Sequence, residues 1–265
     1  MNMYEQVTRD IRKKVSKLTL EQQKHLNKLY EDAIKGLAET AKNSSRKTLS
    51  NRWVTDYRKE LMRVRKELRD EIRKQIKSSI VESAKLGSEG QQIIFAEMFK
   101  MADIELKASF TSMFSKVNDD VVKDIISGNL YKDNKTLSGR IWTFSKDLEK
   151  DIQYTINQAL LEKKSAIELA KDLEEFVKGS AKRSSDWGKC YPALKYKNVD
   201  YNAQRLARTS INHSYQNSTV QASTRNPFVE GIQWESALIH GRTCKLCEDR
   251  HGEVYLVKDV PLDHP

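Results

Sequence analysis

Two cysteines near the end of the chain have the spacing of a metal-binding pair. Cys244 and Cys247 are separated by two residues, so two thiolates of one tight turn can bind a single Zn²⁺ at about 2.3 Å. His264 follows 17 positions after Cys247 and is the candidate third ligand. His240 and His251 are substitutes, although His251 lies only four residues from Cys247 and would crowd the turn. The sequence therefore predicts a structural zinc site formed by Cys244, Cys247 and His264.

Two other interpretations of the cysteine pair stay open. The thiols can remain reduced and without metal, in a hairpin that lies near a histidine. A redox role is the weaker alternative, because redox Cys-x-x-Cys pairs lie at the start of a helix in a βαβ unit. The sequence predicts no such unit. Cys190 stands apart from the pair, so the three cysteines make no disulfide framework.

A row of cationic side chains is the second feature with a chemical use. Arg65, Arg69, Arg73 and Lys77 stand at four-residue intervals, and on a helix they lie along one face. The segment 46–77 around them holds 12 basic and 5 acidic residues. Such a row can meet phosphates, and each neutralised phosphate releases a counterion. We predict that these four residues contact duplex DNA through its backbone, without base preference.

The cationic row also has two other interpretations. It is a solvated helix face if its arginines pair with neighbouring carboxylates, for which Glu67, Asp70 and Glu71 are the candidates. An acidic protein surface is an equally good partner for it. The sequence contains no Walker loop, dinucleotide-binding fingerprint, zinc-protease motif or nucleophile elbow. We therefore predict no catalytic residues.

Composition and charge favour long, exposed helices. The chain of 265 residues is 38% hydrophobic and 32% charged, and it has only 10 Gly and 4 Pro to form turns. Residues 1–86 hold 22 Lys and Arg against 12 Asp and Glu, whereas residues 87–265 hold 25 of each. The net charge of +10 is therefore N-terminal. No run approaches the ~18 apolar residues of a membrane span and no signal core is present, so we expect a cytoplasmic protein without membrane contact.

Apolar residues at spacings of three and four predict the N-terminal helices. One helix is expected from Leu18 to about Lys42, with Thr19 as its N-cap. A polar loop over 43–50 follows. A second helix, capped by the serine or asparagine at its start, is expected over about 50–86 and carries the cationic row. Gly87 is expected to end it in a left-handed conformation.

The remaining chain is predicted to be helical with a small α+β module at its end. The expected elements are helices over 88–127, 137–177 and 202–224, a linker over 179–200, and strands over 231–236 and 253–257. The cysteines lie between the two strands. The predicted fold class is mainly α, with an elongated helical body. Three regions are expected: a basic helical N-terminal region (1–86), a helical middle region (87–180) and the C-terminal module (181–265).

The C-terminal module resembles a known protein family in a set of spaced residues. That set consists of Trp234, Cys244, Cys247, Gly252 and the closing pair His264 and Pro265. The similarity includes the preceding segment 205–217, with the sequence R-L-A-R-T-S-I-N-H-S-Y-Q-N. It is weaker in the segment 128–142. These features resemble the phage head morphogenesis, or minor head protein, family of the Mu F and SPP1 type. The family pattern continues past His-Pro to a further cysteine, which this sequence does not include.

The resemblance implies a structural role rather than an enzymatic one. It implies a component of the capsid interior that associates with the portal protein, packaged double-stranded DNA and other capsid or scaffold proteins. Such a protein is made in the host cytoplasm and acts in head assembly or genome ejection. One alternative is a metal-dependent nuclease of the His-metal-finger type, suggested by V-P-L-D-H-P, although such enzymes need further downstream His and Asn residues. Another is a DNA- or RNA-binding module unconnected to phage.

Overall fold

The computed structural model describes residues 3–103, 108–178, 201–236, 238 and 243–262. Its elements in chain order are α1 (Met3–Asn43), α2 (Asn51–Met101), α3 (Ala108–Ser127), α4 (Leu137–Leu161), α5 (Ala166–Lys178), α6 (Tyr201–Thr224), β1 (Gly231–Gln233), α7 (Lys245–Arg250), β2 (Val254–Leu256) and a 3-10 turn (Val257–Asp259). The expected linker over 179–200, which contains Cys190, lies outside the described residues.

The mainly α fold class is confirmed. The predicted helices over 137–177 and 202–224 correspond to α4, α5 and α6. The two predicted strands are also present, each three residues long, and they pair antiparallel with Gly231 opposite Leu256 and Gln233 opposite Val254. Over the described residues, none of the helices combines the length and apolar character that crossing a membrane requires.

Local sequence accounts for several helix ends. Between α1 and α2 the chain forms the expected polar loop, and the hydroxyl of Ser50 accepts a hydrogen bond from the Trp53 backbone N–H (3.3 Å), as an N-cap does. At the start of α5, Glu168 accepts hydrogen bonds from the backbone and hydroxyl of Ser165, whose hydroxyl in turn accepts the Glu168 N–H. This reciprocal arrangement is a capping box.

The prediction that Thr19 begins the first helix is wrong. α1 starts at Met3, and the Thr19 hydroxyl donates to the carbonyl of Val15 (2.9 Å) within the helix. The physical reason is that Ile11 and Val15 continue the apolar stripe toward the N-terminus and are buried. A threonine inside a helix satisfies its hydroxyl on the preceding turn instead of capping.

The prediction that Gly87 ends the second helix is also wrong. α2 continues through it to Met101. A Cβ atom at Gly87 would lie 2.6 Å from the Tyr215 carbonyl oxygen and 2.8 Å from the Ser218 Cβ, both on α6. The glycine therefore serves close approach of two helices. The boundary expected after residue 86 falls inside α2, and the one after residue 180 lies outside the described residues.

The chain divides into two compact units, each built from separate stretches. Unit 1 contains Met1–Leu20, Lys77–Thr136 and Arg208–Pro265. Unit 2 contains Glu21–Ile76 and Leu137–Ala207.

Unit 2 has a core formed by the apolar stripes of its helices. Leu26, Ile34, Leu61, Ile72 and Ile152 are buried there. Leu26 of α1 and Leu61 and Ile72 of α2 lie on the apolar stripes that a 3.6-residue period produces.

Unit 1 is organised by the contact between α2 and α6. Three serine hydroxyls donate to backbone carbonyls across it: Ser83 to Ile211 (2.7 Å), Ser214 to Ile80 (2.7 Å) and Ser218 to Ala84 (2.6 Å). The small residue Gly87 lies in the same contact. Larger apolar residues pack on either side, with Ile11 and Val15 of α1 against Leu86 and Ile211. Hydrogen bonds and small residues thus allow two backbones to lie close together.

Candidate functional site

The C-terminal module is a short hairpin that holds the cysteine-bearing helix α7. The hairpin extends beyond β1, because the Trp234 N–H donates to Glu253 and the Gly252 N–H donates to the Trp234 carbonyl (both 2.8 Å). Gly252 has φ +85°, a left-handed conformation that favours glycine, so the chain can turn from α7 into β2. Trp234, Cys244, Cys247 and Gly252 therefore occupy one local structure.

Trp234 forms the centre of this module. Its side chain is buried, with 9% exposed, and the Arg250 guanidinium lies 5.2 Å from its ring centroid. The indole Nε1–H donates to Ser236 (3.1 Å), whose hydroxyl donates to the Cys247 carbonyl (2.7 Å). Trp234 therefore lies beside the cysteine-bearing helix, because Arg250 and Cys247 both belong to α7.

The two cysteines lie on the first turn of α7, not in an irregular loop. Cys244 is the N-cap residue and is exposed, whereas Cys247 is buried. Burial raises the pKa of the Cys247 thiol, and the neighbouring Cys244 thiol raises it further. No disulfide joins them. The two thiols lie close enough to interact, as the Cys-x-x-Cys spacing predicts.

These residues fit part of a zinc site. Two thiols are present, but the described residues contain no group of three His, Cys, Asp or Glu side chains arranged to hold a metal. The predicted ligand His264 and the substitute His240 lie outside the described residues. His251 uses its Nδ1 to accept a hydrogen bond from the Ser236 backbone (3.1 Å). Zn²⁺ at this place therefore depends on ligands beyond the described part of the chain.

The four cationic residues predicted to contact DNA have different surroundings. Arg65 forms an ion pair with Glu149 of α4, with 25% and 11% of the two side chains exposed. The Asp70 carboxylate lies 3.3 Å from Arg73 and 3.7 Å from Arg69. Lys77 is exposed. Arg65 is thus engaged within the fold, and Arg73, more than half exposed, and Lys77 retain the most accessible charge.

Unit 1 also contains a cleft that the sequence did not suggest. It has a volume of about 1250 Å³, is partly open to solvent, and is lined by α1, α2, α6 and the C-terminal module. Arg9, Lys13 and Lys17 line its α1 side at four-residue intervals. That spacing was visible in the sequence. Its significance depends on a cavity made by residues far apart in the chain.

The fold and site define a mainly α protein with a small α+β cysteine-bearing module. No family model, curated protein or solved structure matches this chain.

Proposed function

We propose that this chain is a structural minor head protein of a tailed double-stranded DNA phage. It acts inside the capsid, in head assembly or genome ejection, and its partners are the portal protein, packaged DNA and other capsid or scaffold proteins. It performs no catalysis. It is made in the host cytoplasm and becomes part of the virion.

The observation that carries the proposal is the assembly of the family-like residues into one module. Trp234, Cys247 and Gly252 stand far enough apart in sequence that their proximity is not forced by the chain alone. Trp234 is nevertheless buried under Arg250 of α7, and Gly252 bonds directly to its carbonyl. The joint packing of these residues supports the proposal that they form a module of the family's kind.

Zinc is proposed as a structural ligand of this module. Cys244 and Cys247 would supply two thiolates and His264 a third ligand, and the metal would contribute folding free energy to a segment with little core of its own. Metal analysis of protein purified without chelator tests this. About one zinc per chain, lost in Cys244→Ser/Cys247→Ser but kept in Cys190→Ser, supports the site. Less than about one zinc per ten chains excludes it.

The location is tested on phage particles. The chain should be detected by mass spectrometry in purified virions and should resist added protease until the heads are opened. Tagged chain expressed with the portal protein of the same phage should also retain that protein during purification. Absence from the virions, or digestion in intact heads, would refute the proposed location.

The DNA contact is tested through its salt dependence. Each phosphate contact contributes about 0.9 to the slope of log affinity against log salt, so Arg73→Gln/Lys77→Gln, which removes the two most accessible charges of the row, should flatten the slope by about 1.8. Arg65 is omitted because its ion pair with Glu149 makes its removal a change in stability as well. A matched control is Lys24→Gln/Lys28→Gln, two exposed cations on α1. Equal slopes in both variants would assign the row to a protein partner or to its own helix.

The nuclease alternative is tested by cleavage of plasmid DNA. If the chain is structural, purified protein with Mg²⁺, Mn²⁺ or Zn²⁺ should leave supercoiled plasmid intact. Reproducible nicking that disappears in His264→Ala would replace the virion proposal with a His-metal-finger enzyme. DNA binding without cleavage is compatible with the structural role.

A further inference from the structure

The cleft of unit 1 has the size of a peptide site rather than of a small-molecule pocket. Its volume of about 1250 Å³ exceeds the roughly 300–1,000 Å³ of ordinary ligand pockets. An α-helix about 10 Å across with a pitch of 5.4 Å occupies about 1,250 Å³ over three turns. A short helical segment of another protein therefore matches the cleft in volume.

The charge of the lining selects the kind of helix. The lining contains four cationic side chains and only two carboxylates, those of Glu5 and Glu235. Glu235 accepts a hydrogen bond from Arg12 (3.2 Å), and the other three cations, Arg9, Lys13 and Lys17, form a row along α1. Lys13 has an additional contact with Asp10 (3.3 Å) on its own helix, at the exposed surface where such pairs contribute little.

The rest of the lining is apolar and aromatic. Leu20, 58% exposed, and Tyr4 line the α1 side, whereas the other large apolar residues of α1 are buried or half-buried. Trp234 lines the module side and Tyr215 the α6 side. A cationic row beside an apolar surface is complementary to a helix with one acidic and one apolar stripe.

We propose that this cleft binds an acidic amphipathic helix of a partner protein, with carboxylates against Arg9, Lys13 and Lys17 and apolar residues against Tyr4 and Leu20. The four-residue interval of the cations is matched by a partner helix with Glu at positions i, i+4 and i+8. This inference rests on the cleft alone and does not depend on the phage assignment.

The probe is a fluorescein-labelled synthetic peptide of about 15 residues, because shorter isolated helices are marginal in water. It carries Glu at i, i+4 and i+8 with Leu at i+3 and i+7 in an alanine background. Three control probes accompany it: the same composition shuffled so that no stripe forms, the same stripe with Lys in place of Glu, and a single-stranded oligonucleotide of equal net charge. Binding to the full chain is measured by fluorescence anisotropy.

The matched variants separate the cleft from general charge. Arg9→Glu/Lys13→Glu should weaken binding of the Glu probe by about tenfold, because two exposed ion pairs are lost and each is replaced by repulsion. Lys24→Glu/Lys28→Glu changes the net charge of α1 equally but not the cleft, and should change affinity by less than about twofold. Leu20→Ala, at an exposed position that leaves folding unaffected, should weaken binding about threefold through lost apolar contact.

The proposal is supported if the Glu probe binds more tightly than all three controls and only the cleft variants weaken it. It is overturned if the Glu probe binds no better than the shuffled or Lys probe, or if both charge-reversal variants behave alike. Tighter binding of the oligonucleotide, weakened by Arg9→Glu/Lys13→Glu, would overturn it in favour of a nucleic-acid site. Circular dichroism of each variant checks that the helices are intact.

Discussion

Replacing Gly87 by alanine tests whether the contact between α2 and α6 organises unit 1. An alanine Cβ at this position would meet two backbone atoms, the Tyr215 oxygen at 2.6 Å and the Thr219 nitrogen at 3.0 Å. Backbone cannot rotate away as the end of a flexible side chain can. The two helices must therefore separate, or α2 must bend.

Three effects determine the expected destabilisation: helix propensity, overpacking and the loss of a hydrogen bond. Alanine in place of glycine within a helix is favourable by about 1 kcal/mol. Overpacking a close contact costs about 1–3 kcal/mol. Separation of the helices also lengthens serine bonds such as the 2.6 Å bond from Ser218 to Ala84, and the loss of one such bond costs about 1 kcal/mol. The net change is a loss of about 2 kcal/mol in the free energy of unfolding, opposite in sign to the helix propensity.

Two other glycines in helices provide matched controls. An added Cβ at Gly90, one turn further along α2, would meet only Ile11 Cγ1 at 3.5 Å, an ordinary contact. A Cβ at Gly36 in α1 would meet nothing within 4 Å. Both alanine variants should be stabilised by up to about 1 kcal/mol.

Urea unfolding followed by circular dichroism measures these changes, and deuterium uptake in α6 locates them. Gly87→Ala should raise exchange throughout α6, whereas Gly90→Ala should not. If Gly87→Ala proves as stable as Gly90→Ala, the two helices do not approach as closely as described, and the reasoning fails.

Three further predictions concern single sites. Burial raises the pKa of Tyr57, whose hydroxyl donates a hydrogen bond to the Leu37 carbonyl. Because the folded pKa lies above the unfolded pKa of about 10, the stabilisation by this tyrosine is present below about pH 10 and is lost as the pH rises further. Between pH 9 and 11 the free energy of unfolding of the wild type, measured in urea, should therefore fall more steeply than that of Tyr57→Phe, by up to about 1.4 kcal/mol per pH unit. Arg65→Met should lower the free energy of unfolding by about 2 kcal/mol, because it leaves the mostly buried Glu149 carboxylate without its ion-pair partner. Arg65→Met/Glu149→Leu should recover most of that loss. A double variant that is no more stable than the single one would contradict the pairing. Burial raises the pKa of the Cys247 thiol, whereas Cys244 is exposed. In chelator-treated protein at neutral pH, iodoacetamide should therefore alkylate Cys244 at least about tenfold faster than Cys247, measured by peptide mass spectrometry. Equal rates would contradict the burial of Cys247.

Local features of the chain were predictable where the deciding interactions are close in sequence. The loop between α1 and α2, the Ser50 cap and the paired strands around the cysteines all follow from short-range patterns. A period near 3.6 places apolar residues of α1 and α2 on one face of each helix, and Leu26, Leu61 and Ile72 are buried there. Ile11 and Val15 continue the same apolar pattern toward the N-terminus, so the sequence also indicated a longer α1. The choice of Thr19 as the N-cap placed the start of the helix too late.

For the candidate site, the sequence supplied Trp234, the cysteine pair and Gly252, since their spacing carries the family resemblance. It did not indicate that Arg250 covers the indole or that Ser236 links Trp234 to Cys247. Those contacts depend on the angle between α7 and the hairpin, which no local pattern specifies. The position of His264 relative to the thiols stays a prediction.

The sequence by itself determined the mainly α class, the helical periods, the placement of charge at the N-terminal end and the cysteine spacing. Only the tertiary structure decided that Gly87 admits another helix, that Arg65 pairs with Glu149 84 positions away, and that the cations of α1 border a cleft. The physical reason is range: propensity, capping and amphipathic periodicity act within a few residues, whereas close packing and ion pairing depend on which distant surfaces meet. A glycine reads the same in sequence whether it ends a helix or lets two helices touch.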